Sequence, residues 1–598
     1  MASIINSFKP NRFSRSLSII LCLALIFCPL ISSTHAAKGV SVGGTSHRGI
    51  RAYGKERWRV LHINMELPGT GFKLNYASSR ININESAPTI TVGHLADGWS
   101  LSIFHSRKLN SPGVLRKGDG GVVKNPYADT FTYEFLENYK VHNFTWSSVP
   151  DGQLRHINTY DLNTQSPPHY TFGYDDSQQL TSVTDKFGNR TVIQRTPFGG
   201  PHHPETIITI TSPYGTVTTL SVNAANQITS ITYPDGSVYR FGYGHINGRF
   251  LTRKIDPLGN WVNYAYDDAG FLASMTDAAG TKTYARSGDS GSGFWNQRTS
   301  GEGEITSYSD TPLNPDESYT TTRTASDGTV DIIDFEKYGY PTQKGVPGKT
   351  ITYQWAKHPE FNFPVQRQKT VRIDSGLTKN RLKEVTYNYT HPWGPFGGGI
   401  LQSITNTVTI NGISRTGVRN AANSQIVRTS GAGRTTTINF DPNTNLKTSI
   451  SKPGLQDVVY GYDARGRRTS TTQGARVTTK TFNAQGFVAS ITDPLQQTTS
   501  YAYDPVGRTT SITRADGATM GFSYDLCGNN TRLTNAANNQ HNFSYNDRNL
   551  LSSYTTPLSH SYSYQYNQDG KLTRTDYPSG KWISNSYGHV RLLQTQTS

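Results

Sequence analysis

Cysteine is nearly absent from this chain. Three occur in 598 residues, and two of them, Cys22 and Cys28, fall close to the N-terminus. Beyond that point only Cys527 remains, so the rest of the chain has no internal disulfide and no paired-cysteine metal site. Apolar residues are scarce at 34%, too few for a conventional globular core of this size. Charged residues are also few at 17%, so the composition is not that of a disordered chain. One apolar run, Leu17 to Ile31, stands out; no other segment has the make-up of a membrane-crossing helix. Walker and dinucleotide-binding glycine motifs are missing too.

The sequence has instead 34 Tyr and 56 Gly, with abundant Ser, Thr and Asn. A wide sheet with one face toward solvent or a hydrated cavity accommodates such a composition. The N-terminus reads as a secretory signal: Lys9, Arg12 and Arg15 precede the short apolar run, and Thr34-His35-Ala36 supplies small residues for cleavage after Ala36. The expected location is therefore periplasm, cell surface or extracellular space, with the membrane engaged only through the signal. The formal charge is +16, and removing Lys9, Arg12 and Arg15 leaves 16 − 3 = +13. A basic exported protein can associate with anionic envelope polymers. Here the basic residues are dispersed, so no specific nucleic-acid partner is expected.

The organising feature is an aromatic–Asp/Asn step at nearly constant spacing. It falls on Tyr462-Asp463, Phe482-Asn483, Tyr503-Asp504, Tyr524-Asp525, Tyr545-Asn546 and Tyr566-Asn567, then on Tyr587-Gly588. The spacings are 20 and then 21 throughout. Upstream, Tyr174-Asp175 and Tyr266-Asp267 carry the same step. A fixed period of this length marks a repeat architecture. Thr498 to Tyr503 alternates, Asp504-Pro505-Val506-Gly507 is a turn, Arg508 to Arg514 is strand-like, and Ala515-Asp516-Gly517 is a second turn. Asp-Gly at the second turn suggests a two-residue hairpin connection. Each repeat is then about one β-hairpin, and stacking hairpins gives one long, all-β, curved sheet. In this reading Tyr packs against the equivalent Tyr of the next repeat, and Asp or Asn accepts turn amides.

These units resemble the YD repeats of the bacterial Rhs family, shared with wall-associated proteins, Tc-toxin components and animal teneurins. Tyr462-Asp463-Ala464-Arg465-Gly466-Arg467 and Tyr503-Asp504-Pro505-Val506-Gly507-Arg508 follow the pattern Y-D-x-x-G-R. Leu67-Pro68-Gly69 and Gly98-Trp99-Ser100-Leu101 are similar to the segment that opens many such shells. The resemblance implies a β-strip that spirals into a hollow shell, often around a C-terminal toxic domain. It also implies a closing module with an Asp-Pro-x-Gly sequence. Asp256-Pro257-Leu258-Gly259 has that sequence but lies mid-chain in a repeat turn, and after Tyr587 the chain is expected to end part-way through a repeat, with closing module and toxin domain missing.

The expected organisation is a signal peptide at 1–36, an N-terminal β region at 37–170, YD repeats at 171–290, an irregular β region at 291–415 and YD repeats at 416–598. The expected function is that of a non-enzymatic, exported scaffold. It encloses an adjacent polypeptide or binds envelope polysaccharide; the alternative is a toxin-delivery polypeptide without its effector. No cofactor and no metal are expected. Gly288-Asp289-Ser290-Gly291 lacks the His and Asp context of a serine nucleophile. His202-His203-Pro204-Glu205 and His358-Pro359-Glu360 lack zinc-protease spacing. Asp175-Asp176 and Asp267-Asp268 lack the alternating oxygens of a calcium loop.

Overall fold

The computed structural model describes residues 40–42, 61–78, most of 95–102, isolated strands between 106 and 160, and 170–597 apart from short gaps. Among these gaps are 199–204, 290–292, 337–340, 358–363, 390–400 and 588–592. The signal at 1–36, His202-His203, Ser290 and His358 lie outside the described residues. The expectation of an all-β chain holds: 61% of the structure is strand and no α-helix is present among the described residues. From Thr132–Glu137 to Leu593–Thr597, each strand pairs antiparallel with its neighbour in sequence. The result is one long sheet, not closed into a barrel. Smaller sheets are formed by Val40–Val42, Leu61–Glu66, Lys73–Ala77 and Trp99–Leu101, and by Ser106–Arg107, Val114–Arg116 and Val122–Lys124.

Residue choice explains the ladder. Thr498–Tyr503, Thr509–Thr513 and Thr519–Tyr524 are rich in Thr and aromatics, which suit a pleated surface. Side chains alternate between faces, as in Ser561–Tyr566, where Ser561, Ser563 and Gln565 are exposed and Tyr562, Tyr564 and Tyr566 half-buried. The pairing register shifts by one residue at Tyr462, Tyr503, Tyr524, Tyr545 and Tyr566. These bulges add local twist to every repeat. Strands lengthen in the less periodic middle, up to the 12 residues of Thr378–Tyr389, but the ladder runs through without interruption. Gly288 and Asp289 end a strand there and pair with Phe294 and Gly293, so this segment is the flank of a hairpin.

The Asp-Gly turn differs from expectation. Arg514 N–H donates to the Ala518 carbonyl at 2.9 Å and Gly517 N–H to the Arg514 carbonyl at 2.9 Å. Gly517 has φ +79°, and Asp516 keeps a negative φ. The connection is therefore a three-residue loop, a type I turn closed by a left-handed glycine, rather than a two-residue type I′ turn. Most turns of the repeats use this geometry, which needs only one left-handed residue; Gln473 pairs directly with Arg476, so that connection has two residues. The strand Leu593–Thr597 pairs with Trp582–Tyr587, so the ladder runs one strand past Tyr587, part-way into a further repeat.

The apolar core is local. Leu61, Ile63, Met65, Leu74, Tyr76, Trp99 and Leu101 are fully buried. They pack on one face of the strip between Phe172 and Tyr284. Trp99 stacks edge-on against Phe241 at 5.1 Å and donates through Nε1 to the Tyr243 hydroxyl at 2.9 Å. Leu251 N–H donates to the Tyr76 hydroxyl at 3.0 Å. Gly98, at φ +76°, sits where an added Cβ would lie 2.6 Å from the Tyr76 ring.

Two outcomes follow for stability. Gly98→Ala should destabilise the fold by about 2 kcal/mol or more, because the left-handed backbone and the overlap with Tyr76 add. Gln496→Gly, at a residue with φ +64°, should raise stability by about 0.5–1 kcal/mol. Urea unfolding followed by Trp fluorescence checks both signs.

Candidate functional site: signature turns and a seam between windings

The repeat signature closes each turn with a side-chain oxygen. Asp504 Oδ1 accepts the Val506 amide at 3.1 Å and the Arg508 amide at 2.9 Å. Asp463 accepts Arg465 and Arg467, Asp525 accepts Cys527 and Asn529, and Asp267 accepts Ala269 and Phe271. Asn546 and Asn567 do the same through their amide oxygens. Asp175 accepts the Gln179 amide at 2.7 Å. One oxygen thus satisfies two amides that the turn leaves without a ladder partner.

The tyrosine has a different role from the expected ring stacking. Its hydroxyl donates to the carbonyl fifteen residues earlier. Tyr462 reaches Lys447 at 2.8 Å, Tyr503 reaches Val488 at 2.9 Å and Tyr524 reaches Thr509 at 2.8 Å. Tyr545, Tyr566 and Tyr587 reach Asn530, Leu551 and Leu572. Upstream, Tyr266 binds Leu251 and Tyr243 binds Ile228. Tyr174 ends its strand and packs at the edge of the core. From Tyr462 onward, each such Tyr is the last residue of one strand and its acceptor is the first residue of the strand before it. The phenol spans the end of the ladder and ties each strand to the start of the one before it. Where Phe482 replaces Tyr, the Arg467 guanidinium lies 4.2 Å from the ring centre.

The third and fifth turn positions carry a second function. Turns alternate between the two edges of an antiparallel strip, so signature turns share one edge and the remaining turns share the other. The strip curls until signature turns of a later winding meet the opposite edge of an earlier one, 252 to 293 residues away in sequence. Arg508 pairs with its own Asp504 and with Asp235 at 2.8 Å across this seam. Arg548 faces Asp277 at 3.4 Å, Lys571 faces Glu304 at 3.4 Å and Lys282 faces Asp569 at 3.9 Å. Asn549 donates to Asp256 at 3.2 Å, and the Gln568 amide donates to Glu302 at 2.6 Å. Lys186 donates to the Thr444 carbonyl. Arg465 donates to the Pro213 carbonyl at 3.1 Å while lying 4.8 Å over the Tyr214 ring. Gly486 and Gly466 admit the rings of Tyr214 and Phe187, whose atoms would lie 2.6 Å from an added Cβ.

Asp256 of the Asp-Pro-Leu-Gly sequence is buried in this seam and accepts the amides of Leu258 and Asn260. Beside it lie Lys254, 5.1 Å over the Tyr239 ring, and the buried thiol of Cys527. Burial pushes the Cys527 thiol up to about 12, with the Asp256 charge acting in the same direction. Burial pushes Lys254 down to about 8, partly opposed by Asp256. Such a thiol is a packing group, not a nucleophile. No cluster of three or more His, Cys, Asp or Glu suited to a metal occurs among the described residues.

A single-layer β-strip of bulged hairpins, wound so that turn edges interlock, defines a YD-repeat shell. The chain belongs to the teneurin YD-shell family, whose pattern matches residues 152–596. Teneurin-3 of Mus musculus is 30% identical over 114 residues, covering 19% of this chain and 4% of that protein. A crystal structure of TcdB2-TccC3-TEV aligns with 99% of this chain and 33% of its own, at 12% identity and a TM-score of 0.35. The Photorhabdus luminescens Tc holotoxin pore aligns with 92% of this chain and 27% of its own, at 14% identity and a TM-score of 0.32. The chain thus spans a small part of these relatives' length.

Removing one phenol oxygen, as in Tyr524→Phe, should cost about 1 kcal/mol in urea unfolding. Arg508→Ala should cost about 3 kcal/mol, because Asp235 and Asp504 are left without their shared cation in a half-dry seam. Hydrogen exchange in Arg508→Ala should speed up at both 233–237 and 504–508, although these lie far apart in sequence.

The buried lysine gives a pH test. Its folded pKa of about 8 lies below the ordinary lysine value of 10.5, so the unfolded chain binds more protons between these values. Stability from this site therefore rises with pH from 8 toward 10.5. Raised tyrosine and thiol values act oppositely, but above pH 9. Between pH 8 and 9, wild type should gain stability relative to Lys254→Met. A flat difference there would contradict the assignment.

Proposed function

We propose that this protein is an exported, non-enzymatic shell segment that encloses or presents another polypeptide. One observation carries the reading. The strip face bearing Tyr243 and Tyr266 is covered in the first winding by the chain's own residues Leu61, Ile63, Leu74, Tyr76, Trp99 and Leu101. The equivalent face of the later winding, bearing Phe543, Tyr554 and Tyr562, has no further layer packed on it among the described residues. A face that accepts a β-sheet of this chain at one level is suited to a polypeptide at the next. Phe543, Tyr554 and Tyr562 stack on one another across neighbouring strands at 5.2 and 5.6 Å. Their faces are already in use, so this row favours a polypeptide surface over a sugar. In the toxin-delivery alternative, the enclosed polypeptide is an effector encoded separately.

Co-expression with the polypeptide encoded directly downstream tests the reading. The partner should co-purify and resist protease, and should lose that protection when Arg508→Ala and Arg548→Ala together loosen the seam. A partner digested as fast in the complex as alone would overturn it. Export is checked independently by fusing residues 1–36 to a reporter active only outside the cytoplasm; activity should vanish on deletion of Leu17 to Ile31.

A further inference from the structure

Among the described residues, two turn edges of the strip lie outside the seam. One belongs to the earlier winding and carries the signature turns 175–179, 223–227 and 267–271. The other belongs to the later winding and carries the opposite turns 452–457, 493–497, 514–518, 556–560 and 577–581. The seam shows that edges of these two kinds dock: signature turns on one side, opposite turns on the other, in register. On the later winding the contrast between its two edges is plain: signature turn 504–508 in the seam is mostly half-buried, whereas residues 494–497 and 557–560 of the opposite edge are all exposed. Leu495 and Leu558 at the tips of that edge are 77% and 78% exposed.

The charges on the two leftover edges are complementary. The signature edge of the earlier winding presents the exposed carboxylates of Asp175, Asp176 and Asp268. The opposite edge of the later winding presents exposed Lys452, Arg514 and Lys581 against the exposed carboxylates of Asp457 and Asp516, so it is basic on balance. This is the reverse of the seam, where the signature turns bring Arg508, Arg548 and Lys571 to the carboxylates of Asp235, Asp277 and Glu304. Both edges share the same strand spacing and a similar repeat length, so several turns can engage together. The apolar tips of Leu495 and Leu558 would be covered in the process, adding a term that salt does not screen.

We propose that these edges form an interface between copies of this chain. The acidic signature edge of one copy docks on the basic opposite edge of the next, continuing the seam from molecule to molecule. The contact is heterologous, so it leaves an open edge at each end and propagates into stacked arrays.

Sedimentation velocity of the full chain over a concentration series, at low and high salt, tests this. Wild type should form species larger than a monomer as concentration rises, and fewer of them at high salt. The variant K452E/R514E/K581E has two acidic edges, and D175K/D176K/D268K has two basic ones. Each alone should associate at least about tenfold more weakly than wild type. An equimolar mixture of the two should recover association. Leu495→Ser with Leu558→Ser should weaken assembly at high salt. Circular dichroism matching wild type shows that each variant is folded. Reversal of Lys480 and Arg532, which lie on strands, is the charge control and should leave association unchanged. A wild type that stays monomeric at every concentration in low salt overturns the proposal. So does association that survives both triple variants, or a mixture that fails to recover it.

Discussion

Everything in this molecule depends on one side-chain oxygen accepting two amides. An antiparallel ladder must reverse direction after every few residues, and each reversal leaves backbone donors without a partner. Asp185, Asp256, Asp463, Asp504 and Asp525 each take up two such donors, at residues two and four positions on. Ser212, Asn535 and Asn546 do the same, so a carbonyl or hydroxyl oxygen suffices and a charge is not required. The bulge that precedes each signature turn then offers the tyrosine hydroxyl a carbonyl at the start of the neighbouring strand. Turn and bulge together fix the register of hairpins that have almost no apolar core of their own.

Cohesion along the strip and cohesion between windings have different physical origins. Along the strip it comes from backbone hydrogen bonds and cross-strand pairs. Between windings it comes chiefly from polar contacts: cations such as Arg508, Arg548 and Lys571 in the signature turns reach carboxylates on an edge hundreds of residues away. The exception is the opening region, where Leu61, Trp99 and Leu101 bury an apolar face and tie the first winding to residues that precede it. A shell built this way has a hydrophobic anchor at one level and a polar seam elsewhere. That distribution accounts for an apolar content too low for an ordinary core.

Much of this was legible in the residues. The spacing of Tyr462, Tyr503, Tyr524, Tyr545 and Tyr566 gave the hairpin repeat, because a packing rule must recur once per unit. The Asp and Asn at the next position announced the turn. The phenol bond to a carbonyl fifteen residues back was not legible, since ring stacking has the same periodicity. Nor was the loop type at Asp516-Gly517, because the same dipeptide fits a two-residue turn and the last two positions of a three-residue one.

The sequence by itself determined the fold class, the repeat length, the turn positions and the family, because these are local properties repeated many times along the chain. Tertiary structure alone decided which turns meet. Asp235 and Arg508 are 273 residues apart, and nothing near either one specifies the other. Their meeting depends on how much each of the intervening hairpins twists and bends. That curvature accumulates from small bulge and packing geometries, so it becomes visible only when the whole strip has been wound.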